Sequence, residues 1–354
     1  MDTAVRLREL MDRRILVLDG AWGVLLQGEG LSEQEFRGDR FATHDRDVKG
    51  DPDLLNITRP EMVSRIHHAY FEAGADITTT NTFTATSIGQ GDYGLQDAVH
   101  DMNVQGAKLA REAADAFDDR FVAGSLGPLN VTLSLSPKVD DPAFRTVSYD
   151  DVYQAYADQI AALRDGGVDL LLIETIFDTL NAKAAIAAAI DVAPELPRWI
   201  SVTIVDRSGR TLSGQTVEAF WTSVEHAEPL VVGINCSLGA TEMRPYVEAF
   251  SRIADVPVAC YPNAGLPNAF GSYDETADVT SSLLAEFAHA GLVNIVGGCC
   301  GTTPEHTVAI AEAVRQLPPR TVPSFDDRLP TFSGLEPFQI RTDTGFVTIG
   351  ERQN

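Results

Sequence analysis

Residues 230 to 302 decide the fold. They read Leu230-Val231-Val232-Gly233-Ile234-Asn235-Cys236, an amphipathic segment Glu242–Ala254, Val256–Tyr261 closed by Pro262-Asn263, a second amphipathic segment Asp274–His289, and Leu292-Val293-Asn294-Ile295-Val296-Gly297-Gly298-Cys299-Cys300-Gly301-Thr302. The apolar runs are short and show little alternation, as expected of parallel strands covered on both faces. The segments between them have helical spacing and helical length. Strand, helix, strand, helix, strand in one direction is the signature of an α/β chain.

Working outward, the same unit recurs. Strands are expected at Ile15–Leu18, Asp76–Thr80, Phe121–Leu126, Val168–Ile173 and Trp199–Val205. Helices are expected at Glu61–Ala73, Leu95–Phe117, Tyr149–Asp165, Leu180–Val192, Thr216–Ala227 and Pro304–Leu317. Eight such pairs predict a (β/α)8 TIM barrel over residues 1–317. A doubly wound open sheet is the alternative. It calls for a glycine-rich nucleotide loop after the first strand, and Asp19-Gly20-Ala21-Trp22-Gly23 is not G-x-G-x-x-G. The connections Gly20–Pro60 and Gly127–Ser148 are long and leave strand C-termini, so both are candidate walls or lids of a site.

The 354 residues carry 27 Lys+Arg against 51 Asp+Glu, a net charge of −24, which argues against nucleic-acid and anionic-membrane partners. No run approaches the ~20 apolar residues of a membrane helix. Arg6, Arg8, Glu9, Asp12, Arg13 and Arg14 leave no room for a secretory signal core. Four cysteines do not make a disulfide scaffold, and a reducing cytoplasm is the expected compartment. From Leu317 the texture turns proline-rich, so 318–345 reads as a C-terminal extended linker. Phe346–Ile349 then reads as the opening of another strand. The end of the chain is either a tail packed on the barrel or the start of a further domain, 346–354, in a longer polypeptide.

Three cysteines fall at strand ends: Cys236 after the sixth strand, Cys299 and Cys300 after the eighth. In a barrel all three share the catalytic face, and three thiolates plus an open position suit a catalytic zinc ion. The competing reading is that free cysteines are small buried hydrophobes, and Cys260 inside Val258-Ala259-Cys260-Tyr261 fits it best. The separation of Cys236 from Cys299 matches no compact zinc-finger spacing, so the metal reading rests on the fold. Three thiolates would leave Zn²⁺ a weak Lewis acid. Such an ion suits holding an incoming thiol as thiolate near pH 7, for alkyl transfer rather than water activation. Asp19 and Glu174 are strand-end carboxylates that could hold an ammonium group, or could cap helices or loops instead. Asn263 could fill the open metal position, and Asn81 and Phe83 could line the pocket. His67, His68 and His289 read as surface or satisfied core residues, and His306 as a second-layer residue at most.

At these residues the sequence resembles the homocysteine S-methyltransferase family. The carriers are Leu18-Asp19-Gly20, Thr80-Asn81-Thr82-Phe83, Gly233-Ile234-Asn235-Cys236 and Gly297-Gly298-Cys299-Cys300-Gly301-Thr302. Within the family it is most similar to the branch that forms the N-terminal, homocysteine-binding module of cobalamin-dependent methionine synthases. Asp47-Val48-Lys49-Gly50, Asp53-Leu54-Leu55-Asn56, Gly127-Pro128-Leu129-Asn130 and Asp141-Pro142-Ala143-Phe144-Arg145 match that branch's loops. Phe346-Val347-Thr348-Ile349-Gly350-Glu351-Arg352 resembles the opening of its folate-binding domain.

The resemblance implies zinc on Cys236, Cys299 and Cys300. It implies L-homocysteine held by Asp19, Gly20 and Glu174, and Asn263 as a displaceable ligand. Methylcobalamin would be the methyl donor, held by another module or supplied free. The chain has no Asp-x-His-x-x-Gly segment, so the corrinoid would belong to a cobalamin-binding module of the same longer polypeptide. One departure stands out: Thr79 replaces the Glu of the family's Glu-Thr-Asn-Thr-Phe. The alternatives are a stand-alone methyltransferase using betaine or S-methylmethionine, and a non-catalytic structural zinc module.

Overall fold

The computed structural model describes residues 3–205, 208–268, 271–325 and 329–347. Eight parallel strands form a nearly closed barrel: β1 (Leu16–Val17), β2 (Ile77–Thr79), β3 (Phe121–Leu126), β4 (Leu170–Ile176), β5 (Arg198–Val202), β6 (Val231–Gly239), β7 (Val258–Asn263) and β8 (Ile295–Val296). Neighbours in sequence are neighbours in the sheet, β1 pairs with β8, and the ring closes through the parallel bridge of Leu18 with Ile77. The (β/α)8 reading therefore holds and the open sheet is excluded.

Alternation along each strand divides two cores. On β7, Ala259 and Tyr261 join Leu16, Leu18, Ile77, Phe121, Leu172 and Trp199 inside the ring. Val258 and Cys260 face the surrounding helices. Cys260 is thus fully buried, with its sulfur 3.9 Å from that of Met243, and is directed away from the barrel interior. Helix starts follow local chemistry. Ser148 and Asp151 form a capping box that opens helix Tyr149–Gly166, and Gly167, left-handed at φ 92°, ends it.

The base of the barrel is sealed by a helix the sequence reading did not anticipate, Thr3–Arg13. Its charges drew the attention, but Leu7 and Met11, one turn apart, are buried in the inner core. Each contributes roughly 1.5–3 kcal/mol by leaving water. The first long connection is likewise not plain loop, since it carries helices Trp22–Gly28, Glu33–Arg37 and Leu55–Thr58.

Charges around the base are paired. Asp76 takes a two-pronged contact from Arg14 (2.6 and 2.8 Å) and a third from Arg120 (3.3 Å). Asp169 meets Arg111 at 2.6 Å. Arg320 sits in a socket of backbone carbonyls from Ser251, Ala254 and Val256, while its own backbone is held by Val293 and Asn294.

Within 318–345 the structure places a short antiparallel hairpin, β9 (Thr331–Ser333) and β10 (Pro337–Gln339). It docks on helix Val217–Val224, with Ser333 Oγ donating to the Ala219 carbonyl at 2.7 Å and Thr216 N donating to the Leu335 carbonyl. Phe346 and Val347 carry no strand, and the rest of the strand expected there, with the segment to 354, lies outside the described residues. Among the described residues no helix is long and apolar enough to cross a membrane.

Candidate functional site

The barrel mouth is built where strands end in distorted backbone. β4 and β6 both break register near their C-termini, at Ile173/Ile176 and Asn235/Gly239. Thr175, Cys236 and Ser237 there adopt left-handed conformations, φ 56°, 61° and 66°. Such conformations cost ~1–3 kcal/mol each and persist only where neighbours hold them. Asn235 supplies that hold. Its Oδ1 accepts from Thr175 N (3.1 Å) and Ser201 Oγ (2.7 Å), and its Nδ2 donates to Thr175 Oγ1 (2.8 Å).

The reward is convergence of sulfur. The Sγ atoms of Cys236, Cys299 and Cys300 lie within 4.8 Å of one another, and Cys236 and Cys300 are 3.7 Å apart. An edge of a tetrahedron with metal–sulfur bonds of ~2.3 Å spans about 3.8 Å, so the trio fits one zinc ion. Cys299 N donates to the Pro262 carbonyl (2.8 Å) and Cys300 N to Asn263 Oδ1 (3.1 Å), which fixes the double-cysteine turn. Hydrogen bonds from Cys236 and Cys299 draw Cys300 toward thiolate, while the same sulfur–sulfur contacts hold Cys299 well above its usual range. Three crowded sulfurs oppose one another's ionisation, and a divalent cation would favour all three as thiolates.

The same turn is clasped to the first strand. Thr302 Oγ1 donates to the Cys299 carbonyl (2.7 Å) and accepts from Ala21 N (3.1 Å). Gly20 passes so close that a Cβ there would lie 2.8 Å from Thr302 Oγ1 and 3.0 Å from the Tyr70 hydroxyl. Tyr273 faces Cys300 through its hydroxyl, and a Cβ on Gly301 (φ +83°) would lie 2.3 Å from the Tyr273 Cβ and 2.5 Å from its ring.

Asp19 is buried at the end of β1. Its Oδ2 accepts from Thr79 N (2.7 Å), Thr78 Oγ1 (2.9 Å) and Thr79 Oγ1 (3.1 Å). Burial pushes it up to about 7 despite these bonds. Because Thr78 donates to Asp19, it accepts from His67 Nδ1 at 2.9 Å, which assigns the proton to that nitrogen. His67 is therefore a buried part of the mouth rather than a surface residue, held neutral because burial pushes it down to about 3.

Glu174 is buried on β4. It accepts from Ser125 Oγ (2.6 Å) and the Tyr261 hydroxyl (3.3 Å), and burial again pushes it up to about 7. Neither carboxylate caps a helix, and neither meets a cationic side chain among the described residues. An arriving ammonium group would find two acids ready to ionise against it.

Asn81 is spoken for: its Nδ2 donates to the Pro52 carbonyl (2.7 Å) and Asn56 Oδ1 (3.1 Å), pinning the first long connection to β2. Phe83 is half-exposed beside Gly127. His306 serves as a helix cap with Thr303 and reaches the Glu275 carbonyl. Thr79, where the resembling family carries Glu, donates to Asp19 and accepts from Trp22 Nε1 at 3.2 Å.

Sequence reasoning passed over Ser125, Asn235, Tyr261, Tyr273 and Thr302. For Ser125 and Tyr261 the signal existed. They alternate with Ala123 and Ala259, which face the ring interior, and a polar residue on that face needs a partner.

A (β/α)8 barrel with a soft-metal sulfur cluster and two buried acids at its mouth defines the class. The profile of the homocysteine S-methyltransferase family matches residues 16–314, and the chain belongs to that family: it is a methyltransferase acting on homocysteine. Among solved structures it is similar to the homocysteine methyltransferase MmuM from Escherichia coli. For the metallated form the identity is 24%, with 86% of this chain and 99% of that one covered and a TM-score of 0.67. For the oxidized form the values are 22%, 84%, 95% and 0.66. At such identities the likeness is one of fold.

Proposed function

We infer that this chain activates L-homocysteine for methyl transfer from methylcobalamin, giving methionine, as the homocysteine-binding part of a cobalamin-dependent methionine synthase. The observation that carries the reading is the convergence of Cys236, Cys299 and Cys300 at the mouth with one sulfur–sulfur edge of 3.7 Å. Those three residues would hold zinc, which would favour an incoming thiol as thiolate.

The chain's own residues do the rest. Asp19 and Glu174 take the amino group, each ionising as the ammonium arrives. Gly20 leaves the room a side chain would fill. Asn263 holds the Cys299-Cys300 turn through the Cys300 N–H, and its second carbonyl lone pair remains available as a displaceable ligand. The thiol proton passes to solvent and the sulfur lone pair takes up the methyl group, which methylcobalamin, held by another module or supplied free, would supply while retaining the pair of the bond it gives up.

The loop segments 47–56, 127–130 and 141–145 and the tail after 346 support the cobalamin branch and a longer, modular polypeptide. On this reading 1–317 is the catalytic barrel, 318–345 the connection, and the folate- and cobalamin-binding modules follow.

The test offers one donor at a time to the zinc-loaded chain with homocysteine: methylcobalamin, S-methylmethionine or betaine. Methionine formed with methylcobalamin is the expected result. Turnover with betaine or S-methylmethionine and none with methylcobalamin would replace the donor. X-ray absorption at the zinc edge separates catalysis from scaffolding, because a substrate-binding site gains one sulfur neighbour when homocysteine is added.

A further inference from the structure

A second cluster lies away from the sulfurs, where the first long connection meets the segment after β2. Asp51, Asp53 and Gln90 are all fully buried there. Gln90 Nε2 stands between the two carboxylates, 3.1 Å from Asp51 Oδ1 and 3.5 Å from Asp53 Oδ2. Thr84 donates to Asp53 Oδ2 from its backbone N (3.0 Å) and its hydroxyl. Backbone amides of Asp53 and Leu54 face Asp51. Val48, Leu54, Ala85, Leu95, Ala98 and Met102 form a buried apolar cluster in the same region, with Tyr93 packed against it and its hydroxyl pushed up by burial and by both carboxylates.

Three oxygens in this nest have no hydrogen-bond partner among the described residues: Asp51 Oδ2, Asp53 Oδ1 and Gln90 Oε1. Each is bonded to the same carbon as an atom of the Gln90-centred network. No Lys, Arg or His among the described residues pairs with either carboxylate. Two adjacent carboxylates buried without a countercharge, beside an amide oxygen with nothing to accept from, is an arrangement a folded chain does not keep without compensation.

We propose that Asp51, Asp53 and Gln90 form a binding site for a hard divalent cation of the calcium or magnesium class, which staples the first long connection to the segment after β2. The donor set is all oxygen, which selects hard ions over the thiophilic metal the mouth would take. Its formal charge of −2 matches one divalent ion. The site also bears on the mouth, because Pro52, between the two aspartates, carries the carbonyl that Asn81 holds at the end of β2.

The test uses the full chain, stripped of metal on a chelating resin and then reloaded with one equivalent of zinc. CaCl2 and MgCl2 are titrated in by calorimetry, and Tm is followed in parallel. One ion per chain, a Kd tighter than about 1 mM and a rising Tm are expected. Asp51→Asn removes one buried negative charge. Without added ion it should be at least as stable as the parent, and it should bind about tenfold more weakly or worse. Gln90→Glu should be destabilised without the ion and rescued by it. No heat and no Tm shift in the parent up to about 10 mM ion overturns the proposal. So does an equal response in Asp51→Asn, or a parent stability that follows pH alone, as for a pair of acids sharing a proton.

Discussion

The two rims of the barrel treat the same residue type in opposite ways. At the base, Asp76 is gripped by Arg14 and Arg120, Asp169 by Arg111, and Arg320 fills a cage of carbonyls. At the mouth, Asp19 and Glu174 receive only hydroxyl and N–H donors and are left to titrate near 7. Charge at the base is neutralised within the chain and serves stability. The acids at the mouth meet no cationic side chain among the described residues, as the proposed ammonium site requires and as the two faces of this fold lead one to expect.

Removing a sulfur ligand should have the largest effect. Cys236→Ser or Cys300→Ser should cost the zinc and bring methyl transfer below detection with the circular dichroism spectrum unchanged. Retained metal and turnover would refute the sulfur site.

Breaking the base comes next. Asp76→Ala removes the shared partner of Arg14 and Arg120 and the acceptor of Val17 N, and should destabilise the fold by roughly 1–3 kcal/mol in chemical denaturation, while kcat per folded molecule stays the same. An equal loss of kcat would erase the distinction between the rims.

Glu174→Gln should do the reverse. A carboxyl whose folded pKa is raised binds more protons folded than unfolded between about 4.5 and 7, so the parent loses stability as pH rises through that window. The glutamine variant should therefore match the parent near pH 5 and exceed it at pH 8, by up to about 3 kcal/mol. Its homocysteine affinity should fall by roughly 10- to 100-fold.

The pH dependence of binding sharpens the point. A thiol-free analogue such as norleucine should bind more weakly as pH falls from 8 to 5.5, because protonated Asp19 and Glu174 no longer face its ammonium with charge. A flat profile would mean the acids do not take the amino group. The smallest effect belongs to Thr79→Val, which removes one hydroxyl bond from Asp19. A change of about 0.5–1.5 kcal/mol in analogue binding is expected, read by calorimetry.

How much of this could be read from residues alone depends on whether the signal was local. β3 spans Phe121–Leu126 as expected, and the helices beginning at Pro60, Tyr149 and Thr179 start within a residue of their expected positions, because caps and apolar runs are short-range features. β4 and β6 run past their expected ends through bulges at Thr175 and Cys236, and no propensity announces a left-handed threonine. The helix Thr3–Arg13 was obscured by its arginines, although Leu7 and Met11 stand at helical spacing. The cysteine trio was legible because residues at the C-terminal ends of strands share one face once the barrel closes. The ties of Asp19 to Thr78 and of Glu174 to Tyr261 were not, since which hydroxyl reaches which acid depends on strand register, a long-range outcome.

Beyond the Arg320 socket, β9 and β10 dock beside Thr216 and Arg210. A tug on the C-terminus would therefore meet that two-stranded clip first. Along the chain the hairpin stands between that end and the arginine socket, so a pull is borne by its contacts with Arg210, Thr216 and Ala219 before it is borne by Arg320.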